Sequence, residues 1–414
     1  MNNRIYLCLA HMSGEEQKFI NEAFDTNWVV PLGPNVNGFE ADLEQFVGKA
    51  KRVVALSSGT AAVHLALLAC DVGPGDEVLV QTFTFCASSH PITYLGATPV
   101  FVDSEAETWN MDPILLEEAI KDRISKTGKK PKAIVLVALY GMPYQIDKIM
   151  DIANRYDIPV IEDAAEGFGS KVNGQVLGTF GRYGVLSFNG NKMITTSGGG
   201  ALITAGEEEW HEIMMYATQY RESYPYYHHE KIGYNYRMSN ICAGIGRGQM
   251  TVADAHIAHH KHVQTLYEEL LVDVEGITVH RQPAMGGYDS NFWLCTITID
   301  EAVQVKDQEN AYKAVITGAV GGAAGVIHIA DSATTDCQPN DNVEAMRVAL
   351  DAAGIEARPL WKPMHKQPVY RDAPAYVNGV SESLFKIGMC LPSGPYVTDE
   401  DVRYIVEQIK ANIE

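Results

Sequence analysis

Ile158-Pro159-Val160-Ile161-Glu162-Asp163 is an apolar run that ends in acid. Ser187-Phe188-Asn189-Gly190-Asn191-Lys192, followed by Gly198-Gly199-Gly200, is a strand end that turns into a lysine. Between and before them helix and strand signals alternate. Apolar strands are predicted over Glu77 to Val80, Thr98 to Val102, Lys132 to Val137, Ile158 to Ile161, Tyr183 to Phe188 and Gly200 to Thr204. Helical periodicity is predicted over Thr60 to Cys70, Pro113 to Ile124 and Gln145 to Tyr156. Continuous apolar runs separated by helices belong to a parallel sheet covered on both faces, an α/β fold.

Outward from that core, Ser13 with Glu15 and Glu16 reads as the start of a helix. One long helical stretch runs from Asn240 to about Leu271 and carries the chain out of the first domain. Strands at Ile277 to His280 and Phe292 to Ile299, then helices at Val343 to Ala353 and Val402 to Ile413, read as a smaller α/β domain. The expected division is 1–250 and 251–414, in keeping with a length too great for one ordinary core. The Gly/Ala-rich segment Gly318 to Gly325 is expected to be weakly ordered.

Hydrophobic residues are 46% and charged residues 20%, a globular composition. No stretch is apolar enough to span a bilayer, and Met1 to Ala10 is a poor signal peptide. The seven cysteines form no C-x-x-C pair. That suits reduced thiols and a cytoplasmic setting better than a disulfide frame. A formal net charge of −20 argues against nucleic acid as a partner. His256, His259, His260 and His262 lack an acidic or Cys partner, so a solvated helix face is expected there and no metal.

Asp163 should stand at the C-terminal end of a parallel strand, where open α/β sheets place their ligands. Lys192 follows a neighbouring strand. A strand-end carboxylate plus a lysine in a tight turn is what pyridoxal 5'-phosphate needs, one for the pyridinium nitrogen and one for the Schiff base. Glu162 points to the other face, and Glu166 lies close behind Asp163. Leu56-Ser57-Ser58-Gly59-Thr60-Ala61-Ala62 is a small-residue turn opening a helix, whose N–H groups suit a phosphate. Phe83-Thr84-Phe85 offers an aromatic to a flat ring. Gly233-Tyr234-Asn235-Tyr236-Arg237-Met238-Ser239-Asn240 reads equally as a polar ligand site or as a cap with an exposed loop. No G-x-G-x-x-G follows the first strand, which disfavours a nucleotide-binding dehydrogenase.

Taken with Glu162-Asp163-Ala164-Ala165-Glu166, Thr195 to Gly200 and Arg358-Pro359-Leu360-Trp361-Lys362-Pro363-Met364-His365, these segments resemble the pyridoxal phosphate-dependent nucleotide-sugar aminotransferases of the DegT/DnrJ/StrS group. The resemblance spans nearly the whole chain. It implies fold type I: a large domain with a mostly parallel seven-stranded sheet and a smaller C-terminal α/β domain. It implies Lys192 as the Schiff-base lysine and proton shuttle, Asp163 on the ring nitrogen, Phe85 on the ring face and Glu166 near the phenolic oxygen. Gly59, Thr60, Ala61 and Ser187 would hold the phosphate. Asn235 would reach it from a neighbouring subunit of a homodimer. Arg237, Trp361 and His365 would meet the substrate. Within the group the chain is similar to enzymes of the bacillosamine pathway type. That implies L-glutamate as donor and a UDP-linked 4-keto-6-deoxy sugar aminated at C4 as acceptor. Amination at C3, a dTDP- or GDP-sugar, or a non-catalytic sugar-nucleotide-binding regulator are the alternatives.

Overall fold

The computed structural model describes residues 4–48, 50–284, 286–313, 316–320, 323–327 and 337–414. Seven strands build the large sheet: β1 (Arg52–Leu56), β2 (Glu77–Gln81), β3 (Thr98–Val102), β4 (Ala133–Val137), β5 (Val160–Asp163), β6 (Tyr183–Ser187) and β7 (Gly200–Thr204). Their spatial order is β1-β7-β6-β5-β4-β2-β3, and a two-residue strand, Ala375–Tyr376, adds an eighth at the β3 edge. β7 runs antiparallel to both neighbours, and the other pairs are parallel.

The sequence of β4 shows why this sheet is covered on both sides. All five residues of Ala133–Val137 are buried. Ile134 and Leu136 join one apolar cluster, while Ala133 and Val135 join the cluster on the opposite face. A period of two along a doubly buried strand forces that division. β1, β2, β4, β5 and β6 all end at the same edge, so the loops that follow them converge.

A second apolar core lies around a four-stranded antiparallel sheet ordered Ile277–Val279, Cys295–Ile299, Gly388–Leu391, Arg358–Pro359. Helices Asp341–Ala352 and Asp399–Ala411 pack on it, with Val263, Leu266 and Tyr267 from helix Ala253–Leu271. This is the smaller C-terminal α/β unit.

Two expectations need correction. The stretch from Asn240 to Leu271 is two helices, Asn240–Met250 and Ala253–Leu271. Thr251 breaks it, because its hydroxyl and N–H both take the Gly248 carbonyl. The histidines do not form a solvated face: His256 and His260 are buried, and the His260 Nδ1 donates to the Phe292 carbonyl at 3.2 Å. The backbone of Ile316–Val320 pairs with Ala323–Ile327 as an antiparallel ribbon, whereas Gly321 and Gly322 lie outside the described residues.

Candidate active site

The convergent strand ends enclose a cavity of about 300 Å³. Asp163, the last residue of β5, is buried on its floor. Its Oδ2 accepts from Ser88 Oγ at 2.7 Å, Ser88 in turn is 2.8 Å from Thr84 Oγ1, and Oδ1 accepts from the Ala165 N–H. Burial pushes the Asp163 carboxyl up from the usual carboxylate range, while Ser88, the Ala165 N–H and the Lys192 charge pull it down. No helix follows Asp163, so it caps nothing; its two oxygens serve the cavity and the loop behind it. Glu162 faces the other way and accepts from Tyr144 and from the N–H groups of Gly178, Phe180 and Gly181.

Lys192 enters from the turn after β6. Its Nζ lies 3.6 Å from Glu166 Oε1 and 3.9 Å from the centroid of the Trp293 ring. Burial raises the Glu166 carboxyl and the Lys192 charge opposes that. The other Glu166 oxygen accepts from the Tyr140 N–H at 2.7 Å. Tyr140 holds a left-handed backbone, φ 52°, and its hydroxyl accepts from the Trp361 N–H at 2.7 Å. One chain of bonds therefore joins Glu166 to the mouth, where Phe85 and Trp361 meet with centroids 5.2 Å apart.

The opposite end of the cavity is the start of helix Gly59–Ala69. Ser58 caps it by accepting from the Ala61 N–H, which leaves the Gly59 and Thr60 N–H groups without an acceptor in the helix. Ser187 closes on this turn. A Cβ at Gly59 would meet the Ser187 Cβ at 3.1 Å, and one at Gly200 would meet the Gly59 nitrogen at 2.4 Å. Only glycines let the strand ends approach the helix start this closely. The result is a ring-sized space lined by an amine, by carboxylates and by N–H groups that have no acceptor in the helix. That donor set fits a phosphorylated pyridine aldehyde.

The cavity thus gathers Gly59, Thr60, Phe85, Asp163, Glu166, Ser187, Lys192 and Trp361. Four expected residues stand elsewhere. Ala61 is buried behind the helix turn with its N–H taken by Ser58. Asn235 is exposed on a bridge to Thr218. Arg237 pairs with Glu40 and donates to the Ala55 carbonyl, and it is not among the residues lining the cavity. His365 contacts Thr82, with Nδ1 to Oγ1 at 2.8 Å, and so braces the loop carrying Phe85. Ser88, Tyr140 and Trp293 are cavity residues or supports that motif reading missed. Trp293 had one signal: the polar pair Ser290-Asn291 interrupts an aromatic-rich strand approach.

Comparison with known proteins now decides the family. The model of the DegT/DnrJ/EryC1/StrS aminotransferase family matches residues 10–323 and 324–410. The chain belongs to that family. It is a pyridoxal phosphate-dependent sugar aminotransferase of fold type I, and its cofactor is pyridoxal 5'-phosphate. It is similar to EpsN of Bacillus subtilis, whose name assigns it provisionally to the pyridoxal phosphate-dependent aminotransferases. The two are 42% identical over 98% of this chain and 95% of the relative. GDP-perosamine synthase of Escherichia coli O157:H7 is 33% identical over 96% of this chain and 95% of its own length. The crystal structure of a DegT DnrJ EryC1 StrS aminotransferase from Brucella abortus superposes with a TM-score of 0.81. That comparison has 26% identity and covers 96% of this chain and 95% of the other. Among the described residues no helix is long and apolar enough to cross a membrane.

Proposed function

We propose that this family member moves an amino group from L-glutamate to the 4-keto carbon of a nucleotide-linked 4-keto-6-deoxy sugar, with UDP as the nucleotide carrier. The observation that carries the aminotransfer half is the meeting of Lys192, Asp163 and the Gly59–Thr60 turn in one cavity. Pyridoxal phosphate, when bound, supplies an electron sink for the carbanion left when a proton departs beside the nitrogen. Lys192 would hold it through its amine, Asp163 would keep its ring nitrogen protonated, and Gly59, Thr60 and Ser187 would take its phosphate. Phe85 would cover its face. Once free, the Lys192 Nζ would carry the proton in both half-reactions. A single positioned amine serves both directions because the same atoms trade the same proton.

The sugar-nucleotide half is supported by a second cavity of about 540 Å³ that shares Thr84, Phe85 and Trp361 with the first. Arg4, Arg347, Arg358 and Lys362 stand on its wall against Asp351 and Glu356. Arg4 is paired with Asp351, Arg358 with Glu356 and Arg347 with Glu344, so Lys362 is the cation on this wall, among the described residues, that would meet a substrate phosphate. The similarity to a GDP-perosamine synthase favours a GDP-sugar as the second reading.

A homodimer with a shared site is part of the same proposal. Tyr224, Tyr226, Tyr227 and Ile232 are exposed on the segment leading to Asn235, an apolar surface that a second copy would cover while delivering Asn235. The test is the visible spectrum of the purified enzyme with pyridoxal phosphate, before and after L-glutamate. UDP-, GDP- and dTDP-linked 4-keto sugars and a UDP-3-keto sugar then follow as acceptors. Loss of the yellow band with glutamate and its return with the UDP-4-keto sugar is expected. Return with only the 3-keto or GDP-linked acceptor overturns the substrate assignment. Protein that never turns yellow overturns the whole reading.

A further inference from the structure

Trp293 reaches the cavity from a segment far removed in sequence from the strands that build it. Its ring is 1% exposed, and the Lys192 Nζ stands over it at 3.9 Å. The indole N–H donates to the Asn191 carbonyl at 2.7 Å, so the same side chain also holds the residue before the lysine. The Trp293 backbone is fixed in turn. Its N–H donates to Asn291 Oδ1 at 2.8 Å, and Asn291 Nδ2 donates to the Glu166 and Phe168 carbonyls. Ser290 Oγ donates to the Gly141 carbonyl, and Phe292 takes a left-handed φ of 48° under the His260 hydrogen bond. So many constraints on three residues leave the indole one position.

We propose that Trp293 is a positioning residue for Lys192: its ring face holds the amine over the cavity floor, while its N–H fixes the turn that carries the lysine. A cation within about 6 Å of an indole face is held by the ring quadrupole, and Trp is the strongest of the aromatics in this role. The charged and titratable groups around the amine come from separate segments: Glu166 at 3.6 Å, Asp163 on the cavity floor, and the buried Cys8. Burial pushes the Cys8 thiol up to about 12, so it is uncharged at neutral pH. The consequence for turnover rests on Lys192 as the attachment amine; the contact itself does not.

The test uses the full-length protein freed of cofactor. Acetic anhydride pulses at a series of pH values, read by mass spectrometry at the Lys192 peptide, give the midpoint at which the amine becomes reactive. Lys121, exposed on its helix, serves as the internal standard. For Trp293→Leu the midpoint should fall by about half to one pH unit, the range that a cation–π contact of this kind spans. Trp293→Phe, which keeps a weaker ring but loses the Asn191 bond, should fall less. Should Trp293→Leu fail to fold, replacement of the tryptophans by fluorinated tryptophans keeps shape and drains the ring quadrupole. The Lys192 midpoint should then step down with each added fluorine. A midpoint unmoved in folded Trp293→Leu, or across the fluorinated series, overturns the proposal. A wild-type protein that labels normally yet never binds pyridoxal phosphate leaves the contact standing and refutes the functional reading instead.

Discussion

Glu166 Oε1 lies 3.6 Å from Lys192 Nζ, with the two side chains only 5% and 13% exposed. An opposite charge at that distance stabilises the ammonium form. Glu166→Gln keeps an oxygen for the Tyr140 N–H and removes the charge. The expected result is a fall of about one pH unit in the labelling midpoint of Lys192 in cofactor-free protein. An unchanged midpoint would overturn Glu166 as a restraint on the amine.

Among the described residues Lys192 is the one amine lining the cavity, and Lys192→Ala removes it. Turnover of L-glutamate should vanish while circular dichroism and melting temperature stay near those of wild type. Asp163→Asn keeps the shape and cannot hold a proton on a ring nitrogen. Its kcat should drop by about 100-fold or more, the scale on which a preorganised charge acts. Ser88→Ala should cost about 10-fold, since it removes one charge-assisted bond to Asp163. Steady-state kinetics on the three variants would expose a failure of that ranking.

Arg237 separates two roles that its neighbourhood confuses. It is paired with Glu40, and both side chains are about nine-tenths buried. Glu40 also accepts from the Ala55 N–H. Arg237→Ala strands that carboxylate, a loss of about 3–5 kcal/mol by denaturant unfolding. The KM for the sugar substrate should be unchanged in the variant that remains folded. A raised KM with full stability would return Arg237 to the substrate site.

Acid should weaken the fold through His260. Burial lowers its pKa from the usual 6.5 to about 3. Between those values the unfolded chain binds a proton that the folded chain refuses. Stability from this residue is therefore whole above about pH 6.5, falls as pH drops, and levels off near pH 3. His260→Gln keeps a donor for the Phe292 carbonyl and should flatten that part of the melting-temperature profile. Parallel profiles for wild type and variant would sink the assignment.

The sheet was legible because its strands are short apolar runs bounded by helices, and each of β2 to β7 is found within two residues of its expected place. Asp163 and Lys192 were legible for a related reason: a charge that ends a buried strand stands out against its flanks. Tyr140 and Trp293 were not, since an aromatic beside apolar neighbours reads as core whether or not it touches a cavity. The burial of His256 and His260 was hidden because the partners are backbone carbonyls, of Met193 and Phe292, which leave no trace in residue spacing. The pairing of Arg237 with Glu40 was not legible because the two lie 197 residues apart, and Glu40 sits on a separate helix, Pro34–Val47.

The smallest strand of the sheet has the widest consequence. Ala375–Tyr376 pairs with Phe101 and Val102, and Asp103 fastens the following turn through the N–H groups of Asn378, Gly379 and Ser381. Without that cover, β3 would present Val100-Phe101-Val102 as a bare row of N–H and C=O groups, a template for strands of other chains. The lid on this edge is translated long after the edge itself. A ribosome-bound chain therefore carries an adhesive border until Ala375 and Tyr376 emerge, and protection from self-association during synthesis comes well after the edge it covers.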